Sequence, residues 1–244
     1  MSLWVPGPGD PARTALERLA ASGGNEKWLR RGQKKVDKPV RDASVLMLFG
    51  RGQQPRTPGG QREHERLSCL GVADVDVLLL QRSANLRHHP NQVAFPGGGC
   101  DPEDADEIAA ALREAEEETG LDPDGVEIVG TLDPLYIPVS SFEVTPVVAW
   151  WQHPTNVWAV DRGESASVYR VPVADLVAPE NRGTFAAPEN RGTFAAPDRS
   201  YVTPAFDVGV LRVWGFTAAL LEFALDEMGW ARDWDRAARI DIEL

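Results

Sequence analysis

Apolar residues in this chain follow two rhythms. Short stretches rich in apolar residues occur at Ser44–Phe49, Val75–Leu80, Val126–Leu132 and Glu143–Trp151. Ser44–Phe49 is read as a buried strand, Val75–Leu80 as a second strand, and the last two, rich in Val, Ile and Trp, as further strands. Ser167–Val171 is a further candidate strand, and Val210–Trp214 is a short one running into an apolar helix, Thr217–Met228, with Leu220, Leu221, Phe223 and Ala224. A helical rhythm marks Ala105–Thr119, and a shorter one Arg13–Ala21. Residues 50–66 are rich in Gly, Pro, Gln and Arg and read as a loop. Strands and helices are interleaved, so the class is α/β or α+β.

The organisation follows from the same pattern. Residues 1–41 read as an N-terminal extension with one short helix, 42–232 as the main domain, and 233–244 as a tail. The nine-residue string APENRGTFA at 178–186 recurs at 187–195, and a third, partial start follows at Ala196-Pro197-Asp198. Two copies are too few to build a stacked repeat. The segment 178–197 is therefore expected to be a duplicated insertion in a surface loop, where added length is cheap.

Composition narrows the classes. With 244 residues, 43% of them hydrophobic, the chain suits one domain with additions. It has no apolar run long enough for a spanning helix, so no membrane partner is expected. The first residues lack a basic start and an apolar signal-type core, so the expected location is cytoplasmic. Cys69 and Cys100 form no C-x-x-C pair, which argues against a structural zinc site. The formal net charge of −12, with only a short basic stretch at Lys27–Lys38, argues against a nucleic-acid partner. An acidic protein that handles an anionic substrate must invert its local field, and bound divalent cations do this.

The chemistry concentrates in residues 93–121, VAFPGGGCDPEDADEIAAALREAEEETGL. The helix over Ala105–Thr119 has Asp104 as expected N-cap and Gly120 as stop. Ile108, Ala111, Leu112 and Ala115 share an inward face. Glu114, Glu117 and Glu118 stand at i, i+3 and i+4 and share another, where their mutual repulsion calls for positive charge. Clustered carboxylates are hard oxygen ligands suited to Mg²⁺ or Mn²⁺, and Arg113 is placed to orient one of them. An acidic helix face alone is usually just solvated. Gly97-Gly98-Gly99 immediately upstream changes the reading, because consecutive glycines let backbone N–H groups approach phosphate oxygens.

The segment resembles the box of the Nudix family, G-x5-E-x7-R-E-U-x-E-E-x-G-U with U apolar. Gly99, Arg113, Glu114, Ala115, Glu117, Glu118, Gly120 and Leu121 match in register, whereas Ala105 stands where the box has Glu. Glu103 or Asp104 is the candidate stand-in. Upstream, LLQRSANLRHHPNQVAFPGG at 79–98 is similar to the motif of the coenzyme A pyrophosphatase branch, through Leu79, Leu80, Arg82, Ser83, Arg87 and Phe95–Gly98. Gln81 and Asn91 depart from it. The resemblance implies an α/β fold, the Nudix α/β/α sandwich with a mixed β-sheet, and a metal-dependent cleavage of coenzyme A or its derivatives to 3′,5′-ADP and 4′-phosphopantetheines. On this reading Glu114, Glu117 and Glu118 hold Mg²⁺ or Mn²⁺. Arg82, Arg87 and Gly97–Gly99 bind the nucleotide substrate, Arg113 orients a glutamate, and Glu164 is a further acidic site residue. The alternatives are a Nudix hydrolase of another nucleoside diphosphate derivative, such as ADP-ribose or an oxidised nucleotide, and a non-catalytic Nudix-like nucleotide-binding module. A homodimer stays open at this point.

Overall fold

A computed structural model of the chain describes residues 9–24, 39–86, 90–137, 141–187 and 201–242. Arg87, the basic stretch and nearly all of the second repeat copy lie outside these residues. The centre of the molecule is β1 (Arg41–Arg51), which pairs in parallel with β7 (Phe142–Trp151) and antiparallel with β2 (Val75–Arg82). The sheet continues to β3 (Val93–Ala94) on one side and β5 (Val126–Thr131) on the other. Three more strands join off this path: β4 (Gly97–Gly99) on β1, β6 (Leu135–Ile137) on β7 and β8 (Ser165–Pro172) on β2. Pairings of both senses make the sheet mixed, as predicted.

The apolar runs of β1, β2 and β7 are explained by burial on two faces. Successive side chains of a strand point to opposite sides. Met47, Phe49, Val77, Leu79, Val148 and Trp150 meet Leu16 and Leu19 of α1 (Pro11–Ser22) and Leu220, Leu221 and Ala224 near the chain end. Leu46, Leu48, Leu78, Val147, Ala149 and Trp151 face the other way, onto the alanines of the box helix. This is the expected α/β/α sandwich.

Several local expectations change. The N-terminal extension is not an appendage: Ala12, Ala15, Leu16 and Leu19 of α1 are buried in the main core. Asp10 caps that helix and also receives Arg51. The loop expected over 50–66 holds the start of α2 (Pro58–Cys69), capped by Thr57 with Pro58 in its first turn. Its buried face is only Gly59, Gly60, Glu63 and Leu67, too polar to register as an apolar stripe. The box helix α3 runs over Glu107–Thr119, two residues shorter at its start than expected, because Asp106 rather than Asp104 accepts the capping bond, from the Ala109 N–H. Gly120 closes it in the left-handed conformation, as predicted.

The repeat also departs from a surface loop. After the short helix α4 (Val173–Val177), the first copy forms a 3₁₀ turn, Pro179–Asn181, and a strand, β9 (Arg182–Ala187). β9 pairs with β10 (Tyr201–Asp207), which pairs with β11 (Arg212–Trp214), giving a second, antiparallel sheet that leads into α5 (Gly215–Glu227). Asn181, Arg182, Thr184 and Phe185 are buried. The tail is packed too: Thr184 exchanges backbone hydrogen bonds with Ala238 and Ile240. No helix among the described residues is long and apolar enough to cross a membrane.

Candidate active site

The glycines come first, because they set how closely α3 approaches the sheet. Gly97–Gly99 form a strand against β1, with partners Val45, Ser44 and Ala43, rather than a free turn. A Cβ at Gly97 would collide with the Ser44 carbonyl and lie 2.7 Å from Val45 Cα. A Cβ at Gly98 would lie 2.5–2.7 Å from the Glu114 carboxylate. At Gly99 nothing lies within 4 Å of such an atom. Gly97 and Gly98 are thus required by close approach, and Gly99 is not.

The glutamates divide among different surroundings. Glu118 turns inward and its Oε2 accepts the Gly97 N–H at 3.0 Å. Glu114, at i−4, lies over Gly98 and is 20% exposed, whereas Glu117 is 60% exposed at the rim. Burial pushes the Glu118 carboxyl up to about 7; the Gly97 N–H opposes this, Glu114 adds to it, Arg82 opposes it and Glu164 adds to it. Glu114 is likewise raised, chiefly by burial and against the pull of Arg113. Arg82 and Glu164, distant in sequence, therefore share the field of Glu118. Strand pairing brings them together: Arg82 pairs with Ser165 across a bulge, and the Glu164 carbonyl accepts the Ser83 N–H at 2.8 Å. The Arg82 Nε is buried with no hydrogen-bond partner among the described residues.

Arg113 ties the outer part together. Its Nε and Nη2 donate to the two oxygens of Asp104, each at 3.0 Å, and Nη2 also donates to the Gly99 carbonyl at 3.1 Å. Its Nη1 donates to Glu114 at 3.1 Å and to Glu117 at 3.2 Å. Between the two stand-ins that the sequence offered for the missing box carboxylate, the structure places Asp104 on Arg113 and leaves Glu103 exposed.

One contributor had no signal in the sequence. The segment after β7 returns across the end of α3, where Trp158 N–H donates to the Thr119 carbonyl and Val160 N–H to the Glu118 carbonyl. The Trp158 ring lies so close over Gly120 that a Cβ there would be 2.9 Å from it. This segment satisfies the last carbonyls of the helix and fixes the backbone that carries Glu118.

The donor set suits a hard divalent cation in its chemistry: two partly buried carboxylates, Glu114 and Glu118, repel each other, and Glu164 adds to the same field. Among the described residues no three His, Cys, Asp or Glu groups converge closely enough to hold a metal ion as they stand. In this arrangement Arg113 holds Glu114 and Glu117 through one nitrogen, and the Gly97 N–H holds Glu118.

Comparison with known proteins bears on this arrangement. The chain is 49% identical over 100 residues to a protein of Citrobacter koseri (strain ATCC BAA-895 / CDC 4225-83 / SGSC4696) named Uncharacterized Nudix hydrolase NudL, covering 41% of this chain and 50% of that one. A protein of the same name from Salmonella newport (strain SL254) is 47% identical over 98 residues, covering 40% and 50%. The chain thus spans about half the length of the curated relatives it matches. Among solved structures, a C. elegans Ap4A hydrolase binary complex aligns with a TM-score of 0.41 at 21% identity, covering 57% of this chain and 84% of that one. The Nudix hydrolase RenU from M. smegmatis aligns with a TM-score of 0.40 at 23% identity, covering 58% and 76%. A family model described as NUDIX domain matches residues 62–189, just over half of the 244 residues, and takes in the glycine strand, the box helix and Glu164. The chain belongs to the Nudix family.

Proposed function

We propose that this protein is a divalent-metal-dependent pyrophosphohydrolase that cleaves coenzyme A or its derivatives to 3′,5′-ADP and 4′-phosphopantetheine or its acyl form. The observation that carries the reading is Glu118, bonded to the Gly97 N–H and lying in the field of Glu114, Glu164 and Arg82, with Glu114 in turn held by Arg113. Glu114, Glu117 and Glu118, with Glu164 from the β8 side, would hold Mg²⁺ or Mn²⁺. When bound, such a cation neutralises pyrophosphate charge and acidifies water. Gly97 and Gly98 let α3 stand close enough to the sheet for Glu118 and Glu114 to reach this space. Arg113 keeps Glu114 and Glu117 oriented along the rim. Arg82 offers a guanidinium whose Nε has no other hydrogen-bond partner among the described residues, a donor suited to phosphate oxygens. The branch resemblance over 79–98 directs the substrate reading to coenzyme A, and a cytoplasmic location goes with it.

The test is a substrate panel in Mg²⁺ or Mn²⁺, with coenzyme A, dephospho-coenzyme A, ADP-ribose and dinucleotides side by side. Coenzyme A should have the highest kcat/KM, with 3′,5′-ADP as product. Brisk cleavage of ADP-ribose beside inert coenzyme A would refute the branch assignment and leave pyrophosphate hydrolysis intact. Tight nucleotide binding without turnover of any member would make the chain a binding module.

A further inference from the structure

We propose that Asp104 is a positioning residue of this site, acting through Arg113 to keep the helix glutamates available to a cation. This rests on the reading of the site as a divalent-metal centre. A guanidinium has five N–H donors. All five of Arg113 are assigned: Nε to Asp104 Oδ1, Nη2 to Asp104 Oδ2 and the Gly99 carbonyl, Nη1 to Glu114 and Glu117. Asp104 therefore fixes the plane of the fork, so that only Nη1 faces the glutamates. The Asp104 side chain is 7% exposed, and its Oδ2 also accepts the Asp101 N–H at 2.8 Å, so its own direction is set by the loop. Without it, the fork is free to turn and engage a glutamate through two parallel bonds, the geometry in which Arg and carboxylate pair best. A cation would then have to displace two parallel bonds on one glutamate, where Arg113 now makes one to each. Position 105, where the box has Glu, is an exposed Ala in this chain, and the neighbouring residue supplies the carboxylate from the loop side.

The experiment measures Mn²⁺ binding to the full chain by electron paramagnetic resonance, without substrate, alongside kcat and KM. Asp104→Asn keeps the shape and removes the charge. Supporting groups behind metal ligands typically change metal affinity or activity by about 10–100-fold. The expected result is Mn²⁺ affinity weakened about tenfold, kcat lowered and KM for the nucleotide nearly unchanged. Adding Ala105→Glu to Asp104→Ala should restore Mn²⁺ affinity to within about threefold of the wild type. Wild-type Mn²⁺ affinity in a folded Asp104→Asn protein would overturn the assignment. If no variant and no wild type binds Mn²⁺, the metal-site reading itself fails; if the wild type binds and Asp104→Asn binds equally, only the role of Asp104 fails.

A second observation stands apart from the site. The first repeat copy is built into the fold: Asn181 donates to Thr57 and to the Asp175 carbonyl, Arg182 pairs with Glu222, and Phe185 packs edge-on against Trp214 at 5.0 Å. Residues 187–196 repeat 178–187 without a change, so all six residues of β9 have identical counterparts at 191–196. We infer that the second copy can take the same seat. The exchange moves nine residues from the β9–β10 connection to the junction after α4 and leaves four residues, 197–200, between the exchanged segment and β10. Every buried side chain is replaced by its twin, and loop closure changes only with the logarithm of length. Thermal unfolding of Phe185→Ala, Phe194→Ala and the double variant tests this. Each single variant should lower Tm by less than about 2 °C, because the intact copy takes the seat, and the double variant by about 6 °C or more. A full loss in Phe185→Ala with none in Phe194→Ala would overturn interchange, as would a double variant no less stable than either single one.

Discussion

At the scale of single residues, Glu118 carries opposed demands. Its ordinary carboxyl value is 4.5 and burial raises it to about 7, so the charged form is the disfavoured one in the folded protein without metal. Below the unfolded value both states hold the proton, and the group's favourable contribution is fully present. It is lost as pH rises through the folded value. The difference is on the order of 3 kcal/mol, at about 1.4 kcal/mol per unit. Glu118→Gln should therefore raise Tm in chelator at pH 8 by several degrees, and the gain should shrink towards pH 4.5, measured by differential scanning calorimetry. The same variant should lose Mn²⁺ binding and turnover. A lower Tm at pH 8 would mean that the carboxylate is better accommodated than its surroundings indicate. Arg82 makes a separate prediction. If it contacts the 3′-phosphate of coenzyme A, Arg82→Ala should reduce kcat/KM for coenzyme A about tenfold to a hundredfold more than for dephospho-coenzyme A. Equal losses would assign it to the pyrophosphate or the scaffold.

At the scale of elements, the contact between β4 and α3 decides which glycines matter. Gly98→Ala places a methyl into the Glu114 carboxylate. It should leave the fold largely intact by circular dichroism while lowering kcat at least tenfold, because Glu114 must swing away. Gly97→Ala strikes β1 backbone and should lower Tm as well as activity. Gly99→Ala meets open space and should change neither by much. The sequence shows three equal glycines; only the pairing with Ala43, Ser44 and Val45 makes them unequal. The repeat is a second case at this scale. Deleting residues 187–195 retains one full copy for β9 and should shift Tm by no more than a few degrees, with activity retained.

At the scale of the whole molecule, α1 belongs to the core that backs the site. Its Leu16 and Leu19 are fully buried against the sheet face opposite α3, and Arg13 reaches Glu127 of β5 at 2.6 Å. Leu16→Ala opens a cavity there and should cost about 2–5 kcal/mol, lowering Tm by about 5 °C or more. The loss should appear in stability first, with kcat per folded molecule preserved, because α1 packs on the sheet face opposite α3. A variant with wild-type stability would mean that α1 is dispensable despite its burial.

Local pattern in the sequence marks the elements, and the resemblance supplies their layering. Apolar stretches mark the strands, and the Ala-rich box helix with its glutamates and Gly120 stop can be read from local spacing alone, since a helix or strand repeats over a few residues. The sequence marked Arg82, Arg113, Glu114, Glu117, Glu118 and Glu164 as residues of interest. Only the tertiary structure decided how they divide. The register of β8 on β2 brings Glu164 to Arg82, and the close approach of β4 sends Glu118 inward while Glu117 stays at the rim. The five donors of Arg113 select Asp104 over Glu103. Burial and field depend on which distant segments meet, and no local period carries that information. For the same reason α1 reads as an appendage in sequence and stands in the core of the folded chain.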